Sequence, residues 1–443
     1  MIGSASETAR PFVLIGILLA VTSLAHHLGG GLSHEFQPEE SALALGFLLL
    51  FAFLVGQIVR NFGAPMITGF LLAGILAGPH GLGMVNTAAV EPLRLVNLLA
   101  LSLIAFAAGG AMKISRFRTR ARSLVGMALG QVALVLPLAF LSFLLVFGLT
   151  GIMGSEPAVV VSAALLFGVF CVTNSPAEAI AVLSETRAKG PVAEAIIGVT
   201  VLVDLLVIFL FGVAGAVAHT LTGADDAGGS GFVGGFLYEQ GVSFLVGGLA
   251  GMAMITYLSR FQKNVPLFLL GVAMVIVAIC QKMDISPMMM AITAGLVVEN
   301  ASEEGERFMV GLHHSSLPVF VIFFSLSGHK VDLSVMAELW PLALLAVVLR
   351  VAAVRQGTLW GARWGGEEER VARHAWSGFV GQAGLSLGFA VMIATEFPPW
   401  GEKIATLIVA TIVINEFLGP ILMKRSLVAA GETRREGAAD SQN

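Results

Sequence analysis

From residue 11 to residue 424 the chain is close to an unbroken succession of apolar runs, many of eighteen residues or more, joined by short loops. Wound as a helix, such a run covers the ~30 Å of hydrocarbon in a bilayer. No other feature constrains the fold as strongly, because a backbone inside lipid must satisfy its own hydrogen bonds, and only helices and closed barrels do so. A barrel would show ~10-residue stretches of alternating polarity. Here the runs are continuously apolar. Charge agrees: 12% of the 443 residues are charged, about half the ~25% of soluble domains. The 52 glycines suit close helix–helix approach in lipid. Cys171 and Cys280 fall inside apolar runs, which does not indicate a disulfide framework. No basic nucleic-acid patch, Walker phosphate loop or histidine metal-ligand spacing is seen, so neither a nucleic-acid partner nor a cofactor is expected.

Spans are read near 11–27, 42–60, 64–84, 93–112, 123–149, 157–185, 190–219, 232–258, 265–283, 285–300, 308–328, 337–362, 371–396 and 402–424. Lys and Arg concentrate on the cytoplasmic side of membrane proteins. The loop with Lys113, Arg116, Arg118, Arg120 and Arg122 sets the orientation, and Arg60, Arg187, Lys189, Arg260, Lys263, Arg363, Arg370, Arg373, Lys424 and Arg425 then fall on the same side. Glu39, Glu40, Glu156, Asp225 and Asp226 fall opposite; only the acidic 299–306 loop runs against the pattern. A multi-pass protein of the inner cell membrane with a cytoplasmic C-terminus is expected. Residues 1–41 read as an extra helix or a signal peptide with an external loop, 42–425 as the membrane domain, and 426–443 as a disordered cytoplasmic tail.

An internal repeat runs through the membrane domain. GAPMITGFLLAGILAG (Gly63–Gly78) matches ISPMMMAITAGLVVEN (Ile285–Asn300), with Pro then Met and an Ala-Gly pair further on. GGAMK (Gly109–Lys113) matches SGHK (Ser327–Lys330). Gly190 precedes Thr200-Val-Leu-Val-Asp204 by the same interval that separates Gly401 from Thr411-Ile-Val-Ile-Asn415. Two six-span halves flank the linker span 232–258. An odd number of intervening crossings inverts the second half, which is the pattern of secondary transporters. The expected fold is therefore all-α, with thirteen core helices as two inverted six-helix repeats plus a linker.

The polar residues inside the runs carry the chemistry. Asp204 lies about fourteen residues from the loop at 187–190, or ~21 Å deep at ~1.5 Å per residue. A carboxylate there is costly unless it neutralises or meets a partner, and it marks a functional site by default; a buried ion pair that only locks two helices is the plainer alternative. The preceding run holds Thr173-Asn174-Ser175-Pro176-Ala177-Glu178 at similar depth. Pro176 removes a backbone donor, and freed carbonyls at mid-membrane are tolerated where they line a cavity or bind ions; a simple kink is the alternative. The repeat partner of this segment contains Gly381, Gln382 and Ser386, with glycines in place of proline. Arg350 lies near the centre of its span and is expected to face opposed carbonyl ends or a carboxylate such as Glu178 or Asp204. Arg355 reads as snorkelling. Glu416, beside Asn415, also needs a partner. Gly384-Leu-Ser-Leu-Gly388 matches a nucleophile elbow, but that motif requires a soluble strand–turn–helix and no histidine lies at matching depth. An enzyme is not expected.

With PMITGFLLAGILAGPHGLG, TNSPAEAIAVLSETRAKGP, VLVDLLVIFLF and SPMMMAITAGLVV in view, the chain resembles the monovalent cation:proton antiporter superfamily over about residues 42–425. The resemblance implies a homodimer in which a core moves against a dimerisation scaffold; the core helices are placed at about 93–219 and 308–424, the scaffold at about 42–84 and 232–300. It implies that Asp204 binds the alkali cation or proton, that Thr173, Asn174 and Ser175 flank it, and that Arg350 is the basic residue of the core. Family members often carry Asp or Asn just before the key Asp, where this chain has Val203, and some carry a Glu about five residues earlier, where it has Val199-Thr200. The expected activity is exchange of Na⁺, with K⁺ or Li⁺ open, for H⁺ by alternating access. One cycling carboxylate implies electroneutral coupling; a second proton carried by Glu178, one helical turn from Asn174, is the alternative. A sodium-coupled organic-anion symporter and a non-transporting membrane sensor are the alternatives.

Overall fold

The computed structural model describes residues 38–223, 228–261, 264–283, 285, 287–331, 333–382, 385–398 and 400–433. The first apolar run (11–27), Asp225, Asp226, Lys263, Gly384 and residues 434–443 lie outside them.

All described regular structure is helical. The first half consists of α1 (Pro38–Asn61), α2 (Met66–Ala77), α3 (Arg94–Gly110), α4 (Ile114–Thr150), α5 (Pro157–Val172), α6 (Pro176–Thr186) and α7 (Pro191–Thr222). Next comes α8 (Gly228–Arg260). The second half is α9 (Val265–Met283), α10 (Pro287–Ala301), α11 (Gly305–His329), α12 (Leu333–Gly365), α13 (Glu369–Ala375), a 3₁₀ turn (Trp376–Phe379), α14 (Leu385–Glu396) and α15 (Trp400–Ala429). Among the described residues nine helical spans are long and apolar enough to cross a membrane, α5 with α6 counting as one, or ten if bent α11 is included. Met66–Ala77, Pro287–Ala301 and Ser386–Glu396 are apolar but shorter.

The run read at 64–84 yields only twelve helical residues, because Gly78 is extended and Pro79 opens a tight turn closed by Gly81 and Gly83. Past residue 426, where a disordered tail was expected to begin, α15 continues to Ala429. Leu427 and Ala430 are buried there and anchor the extra turn.

Glycine decides which helices meet. α4 and α12 pack along Gly126 and Gly130 on one side and Gly357, Gly361 and Gly365 on the other; a Cβ at any of the five would strike the facing backbone. The small-residue spacing lets the two backbones touch, the packing that substitutes for a hydrophobic drive in lipid. Two further crossings mirror each other. Gly74 of α2 closes on the Ser325 carbonyl of α11, and Gly328 of α11 on the Leu71 carbonyl of α2. Gly295 of α10 closes on the Phe106 carbonyl of α3, and Gly109 of α3 on the Ile292 carbonyl of α10. Thus α3 and α11, expected to travel with the core, pack on α10 and α2. The helices α4 to α7 and α12 to α15 pack among themselves, and α8 bridges α10 and α7.

Candidate functional site

Two interrupted helices define the centre of the second group. The first break is at Thr173, Asn174 and Ser175. Thr173 and Ser175 are extended, and the Ser175 hydroxyl caps α6 by accepting from the Glu178 N–H at 3.1 Å. Pro176 occupies the first turn of α6, where its missing N–H would be unpaired in any helix. It therefore starts the second half-helix, and the interruption is already complete at Thr173. The opposite break follows the 3₁₀ turn, at Val380, Gly381 and Gln382; Ser386 lies in the first turn of α14.

Arg350 of α12 joins the two breaks. It is 1% exposed. Nε donates to the Cys171 carbonyl at 2.8 Å, Nη1 to Val380 at 2.6 Å, and Nη2 to Thr173 at 2.5 Å and Phe379 at 2.9 Å. These are the terminal carbonyls of α5 and of the 3₁₀ turn, the negative ends of the two half-helices. Of the partners expected for Arg350, the opposed carbonyl ends are the ones found. Among the described residues no carboxylate lies within ion-pair distance of it. The Asn174 amide sits between this guanidinium and Gln131 of α4.

A second polar chain runs through the gap. Gln382 Nε2 donates to the Phe170 carbonyl at 3.0 Å and to Thr173 Oγ1 at 2.8 Å. Thr173 and Ser386 share a hydroxyl hydrogen bond of 2.7 Å, so Ser386 is tied to a threonine in this network. Asn415 Nδ2 donates to Gln382 Oε1 at 2.7 Å. The structure thus brings Thr173, Asn174, Gln382, Ser386, Asn415 and Arg350 together, with Glu178 and Glu416 buried alongside.

Among the described residues Asp204 makes no hydrogen bond to that network. It lies on α7, which packs against α5, is 1% exposed, and among the described residues neither carboxylate oxygen has a hydrogen-bond partner. A buried acceptor without a donor is costly and invites a proton or a cation.

Gln131 went unnoticed in the sequence reading, although a lone glutamine in the apolar face of α4 was a usable signal. The Cys171, Phe379 and Val380 carbonyls could not have been found that way, since any residue type supplies them.

With this geometry in place, comparison with known proteins is decisive. The model of the transmembrane sodium/hydrogen exchanger family matches residues 46–427. The chain belongs to that family. Among curated relatives, the probable Na(+)/H(+) antiporter 3 of Methanocaldococcus jannaschii is 24% identical over 405 residues, covering 88% of this chain and 98% of the relative. The ammonium/H(+) antiporter subunit AmhT of Alkalihalophilus pseudofirmus is 25% identical over 364 residues, covering 79% of this chain and 85% of the relative. Two solved structures of the sodium proton antiporter MjNhaP1 of M. jannaschii share the fold at 20% identity. Their TM-scores are 0.61 and 0.66, with 88% and 89% of this chain and 96% and 98% of theirs covered. The exchanger is thus a member of the monovalent cation:proton antiporters, a superfamily of membrane transporters.

Proposed function

We propose that this exchanger swaps a monovalent cation, Na⁺ in the first place, for H⁺ by alternating access, with Asp204 as the shared binding group. The observation that carries the reading is the partnerless, buried Asp204 carboxylate on a helix packed against a broken one. A single carboxylate holds a proton or an alkali ion but not both, and that competition couples the two fluxes. Thr173, Asn174 and Ser175 supply hydroxyl, amide and carbonyl oxygens, hard ligands that suit a hard cation. With Val203 beside Asp204, one proton moves per cation and exchange is electroneutral.

The mirrored α2–α11 and α3–α10 crossings support two inverted repeats. On the same packing, α2, α10 and α14 count as crossings, which brings the total to thirteen. The mobile core comprises α4 to α7 and α12 to α15; α1 to α3 and α8 to α11 form the scaffold, through which a homodimer assembles in the inner membrane. The basic loops set the C-terminus in the cytoplasm. The relative named as an ammonium/H(+) antiporter subunit makes ammonium the second candidate cation.

The test is dissipation of an imposed pH gradient in proteoliposomes on adding Na⁺, K⁺, Li⁺ or ammonium, with the membrane potential clamped by valinomycin and K⁺ when Na⁺ is assayed. Asp204→Asn should insert, stay folded and lose exchange entirely. Wild-type rates in that variant would remove Asp204 from the centre of the mechanism, and rates that track the clamped voltage would overturn electroneutrality.

A further inference from the structure

Two buried carboxylates have no part in the exchange just described. Glu178, in the first turn of α6, is 3% exposed, and Glu416 of α15 is 4% exposed. The Glu178 carboxylate rests in a cradle of two glycines: a Cβ on Gly381 or on Gly419 would collide with its oxygens. Gly419 follows Glu416 by three residues on α15, so both lie on one helix face. α6, which carries Glu178, packs directly against α15, which carries Glu416.

Hydrogen-bond supply at this seam is one-sided. Among the described residues Glu178 Oε2, Glu416 Oε1 and Asn415 Oδ1 are all buried acceptors without a donor. The Asn415 amide nitrogen is already used on Gln382, four of the five Arg350 N–H groups are used on the carbonyls of the two breaks, and among the described residues no carboxylate lies within ion-pair distance of the guanidinium. Two neighbouring carboxylates in a dry site cannot both ionise. Protonating one creates the missing donor, and an O–H···O⁻ bond between acid and carboxylate is among the stronger hydrogen bonds available. An alkali ion fits less well: the backbones of Gly381 and Gly419 close against the Glu178 carboxylate, and hard cations gather several oxygens at once.

We propose that Glu178 and Glu416 hold one proton between them, a resident acid–carboxylate pair that stays loaded while Asp204 cycles. The remaining negative charge balances Arg350, so the fixed part of the core is neutral. This rests on Asp204 being the cycling site, and the test separates the two ideas by working in an Asp204→Asn background.

Infrared spectra of the full chain in lipid at neutral pH should show a carboxylic-acid carbonyl band in Asp204→Asn. That band should be lost in Asp204→Asn/Glu416→Gln, where the lone Glu178 is left ionised opposite Arg350. In the otherwise wild-type chain, saturating Na⁺ should leave it in place. Absence of the band from Asp204→Asn, its survival in the double variant, or its discharge by Na⁺ would each overturn the proposal. If the double variant does not fold, alkaline titration of Asp204→Asn decides instead: one carboxyl per chain should be lost, and two or none would refute the shared proton. Transport by Asp204→Asn bears only on the exchange mechanism, and the band only on the pair.

Discussion

Arg350 shows how one side chain stabilises a fold that would otherwise be unfavourable in lipid. Two helices stop mid-bundle, and their terminal carbonyls would be unpaired without the guanidinium between them. Replacement by Ala should therefore lower thermal stability strongly, by on the order of 3 kcal/mol, since each stranded buried acceptor costs about 1–3 kcal/mol and solvent entry recovers part. Arg350→Lys should recover little, because an ammonium lacks the planar fork that reaches both breaks. Melting curves with residual exchange measured in parallel provide the check, and exchange should fall less than in Asp204→Asn. An Arg350→Ala protein with unchanged stability and no exchange would make the residue a direct participant in transport. The burial of Asp204 and Arg350 was legible in the sequence, because a charge inside an apolar run stands out. Opposed carbonyl ends were expected for Arg350, but which carbonyls they are was not legible. Carbonyl acceptors carry no side-chain signature, and the Glu178–Glu416 proximity depends on how α6 meets α15.

At the scale of elements, the breaks were signalled by Pro176, which starts α6 just after one of them, and by Gly381 within the other, whereas the packing of α4 on α12 was written in a glycine spacing easy to pass over among 52 glycines. Gly126-x-x-x-Gly130 and Gly357-x-x-x-Gly361-x-x-x-Gly365 were both present as signals. The crossing leaves no room for a side chain, and overpacking a well-packed interface costs about 1–3 kcal/mol even where neighbours adjust. Here the neighbour is backbone, which adjusts least. Gly126→Val or Gly361→Val should abolish the monodisperse peak in detergent size-exclusion chromatography. Gly148→Ala, on the same α4 but facing open space, should behave as wild type. Equal loss in all three would show that the crossing is not what sets the tolerance. Hydropathy finds helices, but only the facing glycines reveal which ones touch, as α3 does α10 and α11 does α2.

Across the whole molecule, the end bearing Arg120 is closed by a ring of polar contacts. Arg120 of α4 pairs with Glu367, after α12, at 2.8 Å, lies 3.7 Å from Glu194, and donates to the Pro191 carbonyl at 3.2 Å. Ser123 donates to Glu367 as well. Partial burial would raise the Glu367 carboxyl, but the Ser123 and Arg120 hydrogen bonds, the Arg120 charge and the Glu368 N–H outweigh it and hold Glu367 below the usual carboxylate range. A lowered folded value means the stabilisation is complete above the unfolded value and fades as pH falls through the folded one. Glu367→Gln should thus cost on the order of 1 kcal/mol at neutral pH, with the difference from wild type shrinking on acidification. Melting temperatures of both proteins across an acid series test this, and a gap that widens toward low pH would contradict it.

At the same end, α7 has no side-chain cap of its own. The Glu432 carboxylate accepts from the Val192 and Ala193 N–H groups at 2.8 and 2.9 Å, and Gly190, at φ 151°, leaves the space it fills. Glu432 lies 240 residues downstream of Val192. At translation rates of about 5–20 residues per second, the helix carrying Asp204 emerges tens of seconds before the group that seals its first turn. Until then its leading amides must be met by water, so this stretch of α7 stays solvent-bound while most of the protein is still being made. The core acquires its final seal only when nearly the last of the described chain arrives.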